Sequence, residues 1–110
     1  MHARVERYVE PALLLTLART DAYGYELAAQ IEELDPDDRV DLGNLYRLLR
    51  GLEEEGFVTS EWRDDLPGRS KRTYQLTREG RALLDAWIDA LTHAQDRIDR
   101  FMTLARNLEK

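Results

Sequence analysis

The side chains in this sequence that are best suited to molecular recognition lie close together, between positions 44 and 50. They are an amide, a phenol and two guanidinium groups, carried by Asn44, Tyr46, Arg47 and Arg50. An amide can bind an adenine edge through two hydrogen bonds, and a guanidinium can bind a guanine edge in the same way. Either arginine could equally bind a phosphate, and so could the Tyr46 hydroxyl. These residue types suit contact with duplex DNA, although polar residues that simply face water are the alternative.

A short helix can present these groups on one side. Four leucines recur at i, i+3, i+4 and i+7 between Leu45 and Leu52, which at about 100° per residue makes one apolar stripe. Asp41 can cap the start of this helix, and Gly56 can take the left-handed conformation that ends it. A helix with a buried back and polar groups near its N-terminus is what a helix-turn-helix protein places in a major groove.

The composition bounds the class of protein. A length of 110 residues and a hydrophobic fraction of 43% fit one small domain with a modest core. The absence of cysteine excludes a disulfide framework and thiolate chemistry. No apolar run approaches the roughly 20 residues that span a bilayer, and the N-terminus has no apolar signal region. We therefore expect a soluble cytoplasmic protein with no membrane partner.

The charge is unevenly distributed along the chain. The net charge of −6 argues against nucleic-acid binding when the protein is considered as a whole. Residues 1–40 carry 4 basic and 9 acidic groups, residues 41–81 carry 8 of each, and residues 82–110 carry 4 and 5. Five basic residues and one acid fall within 69–81, just after the polar helix. The acids at 53–55 would repel phosphate, so we expect them to point away from DNA as a solvated helix end.

Two helices are predicted before the polar one. The first begins at Glu10–Pro11, since proline is tolerated at the first helical position. The second runs from about Tyr25 to Leu34 and ends at Asp35–Pro36, because the residue before proline avoids helical geometry. Backbone N–H groups at a helix start favour an anion, so Tyr25 is a candidate phosphate contact, with a turn aromatic capping the core as the alternative.

A β-hairpin follows the polar helix, and we call it the wing. Bulky and β-branched residues at 57–63 and alternation at 70–76 predict two strands joined by a turn at 64–68. Its tip would reach a neighbouring minor groove or its phosphates, and a solvated basic loop is the alternative. The tip residues are Arg69, Ser70, Lys71 and Arg72.

A long helix is predicted from Arg78 to about Leu108, with Thr77 as its N-cap. About 30 residues span roughly 45 Å at 1.5 Å per residue, more than the preceding residues can cover. Its apolar residues follow intervals of four and three, a heptad seam with Gln95 as the polar position. Either the distal half packs on a second copy or it frays, and we predict a homodimer. The predicted seam consists of Leu84, Ile88, Leu91, Ile98, Met102 and Ala105.

Trp87 lies beside this seam and admits two interpretations. It packs structurally in the dimer, or it lines a flat apolar cavity between chains together with Leu91 and stacks on an aromatic effector. Catalysis has little support, since the sequence has no serine–histidine pairing and no phosphate-cradling glycine loop. Asp89, His93 and Asp96 share a helical face, but we expect a charged outer surface there rather than a metal site. We predict no enzyme, no cofactor and no metal.

Three helices followed by a wing make a winged helix-turn-helix, a mainly α fold with a small β-hairpin (α+β). We predict a winged-helix DNA-binding domain with an N-terminal arm at residues 1–77. Residues 78–110 are then a C-terminal dimerisation helix.

Three blocks of the sequence also resemble the PadR-type transcriptional regulators. They are Gly43–Leu49 with Leu52 and Glu55–Val58, then Tyr23–Leu27, and Arg72–Gly80. The resemblance covers nearly the whole chain and implies a homodimeric repressor with a winged-helix head and a C-terminal dimerisation helix. For some members it implies an aromatic or drug-like ligand that releases DNA, and the single last helix suits the short-tailed branch. The chain departs from the family pattern at Asp41–Leu42, where Ser-Pro is common, and at Asn44, where threonine is common.

We therefore predict a sequence-specific DNA-binding transcriptional regulator. It would be a repressor that binds a pseudo-palindromic operator as a homodimer and is released by a planar aromatic effector. The alternative, which the acidic total makes plausible, is a winged helix that binds protein rather than DNA.

Overall fold

The structure, a computed structural model, describes residues 9–20, 22–34, 39–63 and 71–108, with the backbone alone at 22–25, 63 and 71. In chain order its elements are α1 (Val9–Arg19), β1 (Ala22–Tyr23), α2 (Gly24–Leu34), α3 (Leu42–Glu54), β2 (Val58–Arg63), β3 (Lys71–Leu76) and α4 (Arg78–Asn107). Three helices, a hairpin and a long last helix confirm the predicted winged helix-turn-helix.

The strands in the described part of the chain form one antiparallel sheet of order β1-β3-β2. β2 and β3 pair along their whole length, from Val58 opposite Leu76 to Arg63 opposite Lys71. β1 pairs with the other edge of β3. The sequence predicted the hairpin but not β1, because two residues are too few to show strand alternation.

Leucines from the helices form the core. Leu13 and Leu14 of α1 are fully buried, as are Leu45 and Leu49 of α3, and Leu52 is 4% exposed. Burial on this scale contributes about 2 kcal/mol for each leucine side chain. The predicted apolar stripe of α3 is confirmed, which leaves the opposite side of that helix facing away from the core.

Side-chain and backbone caps define both ends of α3. Asp41 Oδ1 accepts a hydrogen bond from the backbone N–H of Gly43 at 2.8 Å. At the other end, Gly56 has a φ of 87°, a left-handed conformation that glycine adopts without steric cost. Thr77 caps α4 by accepting from Gly80 N at 3.0 Å, and its hydroxyl donates to Gly56 O at 2.7 Å. The three predicted capping residues are confirmed, and Thr77 joins the end of α3 to the start of α4.

The first turns of α4 pack into the winged-helix head, the unit formed by α1 to α3 and the three strands. Leu84 is only 4% exposed and lies in the same core cluster as the leucines of α1 and α3. Leu83 and Trp87 are partly buried and pack against this cluster. Leu84 was predicted to be part of the dimer seam, but its side chain is already covered within its own chain. Of the residues predicted for the seam, Ile88 is the first along α4 whose side chain remains exposed in the single chain.

None of the helices in the described part of the chain combines the length and the apolar character that crossing a membrane requires.

Candidate nucleic-acid interface

The outer face of α3 carries the polar groups that the sequence singled out. Asn44, Tyr46, Arg47 and Arg50 are all exposed, and Tyr46 retains 42% of its accessible surface. Among the described residues, no carboxylate lies within ion-pair distance of the Arg47 or Arg50 guanidinium. Both arginines are therefore able to bind an external acceptor.

At the N-terminal end of this face, the Asp41 carboxylate lies close to two hydrogen-bond donors, the Asn44 amide and the Arg47 guanidinium. Asn44 Nδ2 donates to Asp41 Oδ2 at 3.4 Å, so the amide lies beside the capping carboxylate. A Cβ atom built on Gly43 would lie 3.9 Å from Arg47 Nη2, which places the Arg47 guanidinium close to the start of the helix. The absent side chain at Gly43 leaves the helix surface open between Asp41 and Arg47.

Tyr74 connects this face to the wing. It is 7% exposed. Burial raises the pKa of its hydroxyl above the ordinary value, and the positive charge of Arg72 partly offsets that effect. Smaller electrostatic contributions come from Glu53, Tyr46 and Arg50. The Tyr74 hydroxyl is thus protonated at neutral pH.

The wing is attached to the C-terminal end of α3 by polar contacts. Arg72 Nη2 donates to Glu53 Oε1 at 3.3 Å, and Arg72 Nε donates to Ser60 Oγ at 2.8 Å. Glu53 is therefore not part of a solvated helix end, as the sequence suggested, whereas Glu54 and Glu55 are exposed. Sequence reasoning missed this contact because the three residues that make it are far apart in the chain.

Several predicted contacts fall outside the described residues. Arg69 and Ser70 are not among the residues that the structure describes, and the side chains of Lys71 and Tyr25 are not described either. The backbone places Lys71 at the first position of β3 and Tyr25 in the first turn of α2. Their roles stay predictions.

A cavity of about 530 Å³ lies between α1 and the N-terminal half of α3. Its lining residues are Val9, Glu10, Arg39, Val40, Asp41, Asn44, Leu45 and Leu48. Trp87 Nε1 donates to Glu10 Oε2 at 2.6 Å, so this tryptophan contacts one of the lining residues. The cavity was not predictable from the sequence, because its walls come from separate segments.

The distal half of α4 exposes a broad apolar surface. Of the predicted seam, Ile88, Ile98 and Met102 retain 46%, 59% and 41% of their accessible surface, and Leu91 and Ala105 are half-buried. Large apolar residues outside the predicted seam are exposed as well. These are Phe101, Leu104 and Leu108, at 68%, 69% and 86%. The sequence contains a pattern that predicts this wider apolar surface. A second line of wholly apolar residues recurs at intervals of four and three, at positions 87, 91, 94, 98, 101, 105 and 108.

The described residues hold no group of three or more histidine, cysteine or acidic side chains that would suit a metal ion. His93 Nδ1 lies 2.9 Å from the backbone oxygen of Asp89, on an exposed part of α4.

Solved structures share this architecture. A putative transcriptional regulator from Thermoplasma acidophilum matches with a TM-score of 0.74 at 28% identity, over 86% of this chain and 90% of that one. Bacillus subtilis PadR in complex with operator DNA matches with a TM-score of 0.66 at 27% identity, over 77% of this chain and 48% of that one. A PadR family transcription regulator from Clostridium difficile R20291 has the same fold, with a TM-score of 0.77 at 24% identity. The match covers 86% of this chain and 98% of that one.

The family assignment comes from the sequence match. A family model described as "Transcriptional regulator PadR-like family" matches residues 13–86, which is more than half of the chain. The match includes all of α2, α3, β2 and β3, and it ends in α4. The resemblance inferred from the three sequence blocks is confirmed: this chain belongs to the PadR-like family of transcriptional regulators and is not an enzyme.

Proposed function

We propose that this protein is a repressor that binds operator DNA as a homodimer through α3 and the wing. The observation that carries the proposal is the exposed polar face of α3, whose opposite side is held by buried leucines. Further support comes from the Bacillus subtilis PadR structure, which contains operator DNA and resembles 77% of this chain. Such a protein works where the DNA is, so we propose a cytoplasmic location.

Base recognition falls to the outer face of α3 in this proposal. Asn44 suits an adenine edge, and Arg47 and Arg50 suit guanine edges or phosphates. Tyr46 lies on the flank of the face, where its hydroxyl suits a phosphate. Asp41 places an acid at the same end, which favours base donors such as the cytosine amino group over a close phosphate.

The wing and the start of α2 supply the remaining proposed contacts. Arg69, Ser70 and Lys71 would bind phosphates beside the groove that α3 occupies, and Tyr25 would bind one at the start of α2. Arg72 belongs to the same predicted set, but its guanidinium is held by Glu53.

The arginines of α3 provide the test. Arg47→Ala and Arg50→Ala should each weaken binding to a selected duplex by about 1–3 kcal/mol if they bind a base edge. Loss of a phosphate contact would instead lower the log–log salt slope by about 0.9. Fluorescence anisotropy titrations over a range of salt concentrations measure both quantities.

The matched control is Arg100→Ala, which removes an exposed arginine from the distal part of α4 and should leave binding unchanged. If wild-type protein binds no duplex even at low salt, the proposal fails and the protein-binding alternative is favoured. If the two α3 variants bind as the control does, α3 is not the reading helix.

Homodimerisation is proposed through the distal half of α4. Ile88, Ile98, Phe101 and Met102 are exposed in the single chain, and they lie on a helix too long for its own head to cover. A two-fold dimer presents two α3 helices about 10 bp apart, or a multiple of that, which requires a pseudo-palindromic operator. A dimer on such a site would exclude other proteins from it, and we propose repression for this reason.

We also propose a planar aromatic effector that contacts Trp87 and Leu91 at the dimer interface. Trp87 lies where α4 leaves the head, and its indole N–H is held by Glu10. A ring bound there would alter the packing of the head against the paired tails. The spacing of the two α3 helices would change with it, and DNA would be released.

A further inference from the structure

Three polar side chains form a closed ring between the end of α3 and the base of the wing. Glu53 Oε2 accepts from Ser60 Oγ at 2.7 Å, and Ser60 Oγ accepts from Arg72 Nε at 2.8 Å. Arg72 Nη2 closes the ring by donating to Glu53 Oε1 at 3.3 Å. We call these three residues the clasp. It includes one charged pair, and charge-assisted hydrogen bonds are stronger than neutral ones.

The register of the hairpin places the clasp on the inner face of the wing. Ser60 is opposite Tyr74 and Trp62 is opposite Arg72, so these four residues share one side of the β2–β3 pair. The Arg72 guanidinium carbon lies 5.8 Å from the centroid of the Trp62 ring, within reach of a cation–π contact. The guanidinium is therefore held by a carboxylate and a hydroxyl and also lies over an aromatic ring.

The hairpin needs such an attachment. A two-stranded hairpin has little stability of its own, and the buried anchors of this one, Val58 and Tyr74, lie near its base. The clasp joins the next positions along the strands to α3. It thereby limits how far the wing can rotate about its base.

We propose that the clasp sets the angle between the wing and α3, and that Arg72 is a positioning residue for DNA binding rather than a phosphate contact. This inference rests on the proposed function. α3 and the wing tip must reach two parts of one duplex at once, so their relative position controls affinity. The proposal also accounts for an acid near the predicted DNA surface, since the charge of Glu53 is neutralised by Arg72.

The test compares two neighbouring acids. Glu53→Ala and Glu54→Ala each remove one negative charge from the end of α3, but only Glu53 belongs to the clasp. If only the repulsion between each carboxylate and the DNA phosphates mattered, both changes would tighten DNA binding or leave it unchanged. If the clasp positions the wing, Glu53→Ala weakens binding about tenfold, whereas Glu54→Ala does not weaken it.

Two further measurements separate positioning from direct contact. Arg72→Ala should weaken binding to a similar extent and should change the salt slope no more than Glu53→Ala does, whereas a lost phosphate contact of Arg72 would lower the slope by about 0.9 in Arg72→Ala alone. The double variant Glu53→Ala/Arg72→Ala should bind no more weakly than Arg72→Ala alone, because one interaction is lost only once. Binding by Glu53→Ala as tight as by Glu54→Ala, or a slope that is reduced in Arg72→Ala but not in Glu53→Ala, would overturn the proposal.

Urea unfolding of the same variants without DNA distinguishes this proposal from the proposed function. A clasp formed in the free protein makes the effects of Glu53→Ala and Arg72→Ala on unfolding non-additive. If wild-type protein binds no duplex, the proposed function fails and the positioning role fails with it, while the unfolding cycle still decides whether the clasp forms. Strictly additive effects would show that no clasp holds the wing.

Discussion

At the scale of single residues, Gly80 shows how closely the head is packed. It is buried in the first turn of α4, where that turn approaches the end of the α3–β2 connection. A Cβ atom at this position would collide with the backbone oxygen of Phe57 and would lie 2.6 Å from Leu76 Cδ1. The same Phe57 oxygen accepts a hydrogen bond from Thr77 N at 3.1 Å, so it cannot move away freely. Glycine is required here by the close approach of two backbone segments.

We expect Gly80→Ala to destabilise the protein by about 3 kcal/mol, at the upper end of the overpacking range. The matched change is Gly51→Ala in the interior of α3, where an added Cβ would meet nothing within 4 Å. That variant should gain about 0.5–1 kcal/mol, because alanine is the better helix former. Urea unfolding monitored by circular dichroism measures both. Equal stability of the two variants would contradict the packing argument.

At the scale of elements, α4 is one helix in two environments. Its first turns complete the core of the head through Leu84, while the residues beyond Trp87 extend away from it. The apolar residues keep the same spacing from Leu84 through Ile88 to Leu91, where the helix passes from one environment to the other. This continuity is why the sequence predicted Leu84 as part of a dimer seam, whereas the structure buries Leu84 in the head and leaves Ile88 exposed.

Ile98→Glu is expected to turn the proposed dimer into a monomer. Each copy loses about 2 kcal/mol of apolar burial, and two-fold symmetry doubles the loss to about 4 kcal/mol, close to a thousandfold in Kd. Thr103→Glu places the same charge elsewhere on α4, where the Thr103 hydroxyl donates to its own helix, and should leave the dimer intact. Sedimentation equilibrium distinguishes the two. A wild-type protein that is monomeric at micromolar concentration would refute the seam.

At the scale of the whole molecule, a hydrogen bond and a cavity lie between α4 and the face of α3 that we propose binds DNA. Trp87 on α4 is bonded to Glu10 on α1, and Glu10 lines the cavity that also borders Asp41 and Asn44 at the start of α3. Trp87 therefore contacts a residue of the cavity that Asp41 and Asn44 also line. An effector bound at the proposed dimer interface would reach α3 through these contacts.

Tryptophan fluorescence tests the effector proposal, since the chain has two tryptophans. A planar aromatic effector should quench the emission of wild-type protein and of Trp62→Phe, in which Trp87 is the remaining tryptophan. It should quench Trp87→Phe much less, and the concentration at half-maximal quenching should match that which releases DNA. Equal quenching in Trp87→Phe, or none with any planar aromatic compound in wild type, would reject the proposal.

The sequence by itself determined the elements whose causes are local. The leucine spacing of α3, its caps at Asp41 and Gly56, and the length of α4 depend on residues within one or two turns of each other. The winged-helix order and the family resemblance followed from these elements. The exposed polar face of α3 was also predictable, because a buried stripe fixes which side remains outside.

Only the tertiary structure decided the features that join distant segments. Arg72 meets Glu53 across 19 positions of sequence, and Trp87 meets Glu10 across 77. β1 exists because β3 lies beside it, and Leu84 is buried because the head reaches that far along α4. Periodicity reports which side of an element is apolar but not which segment covers it, and that choice depends on packing among all the elements at once.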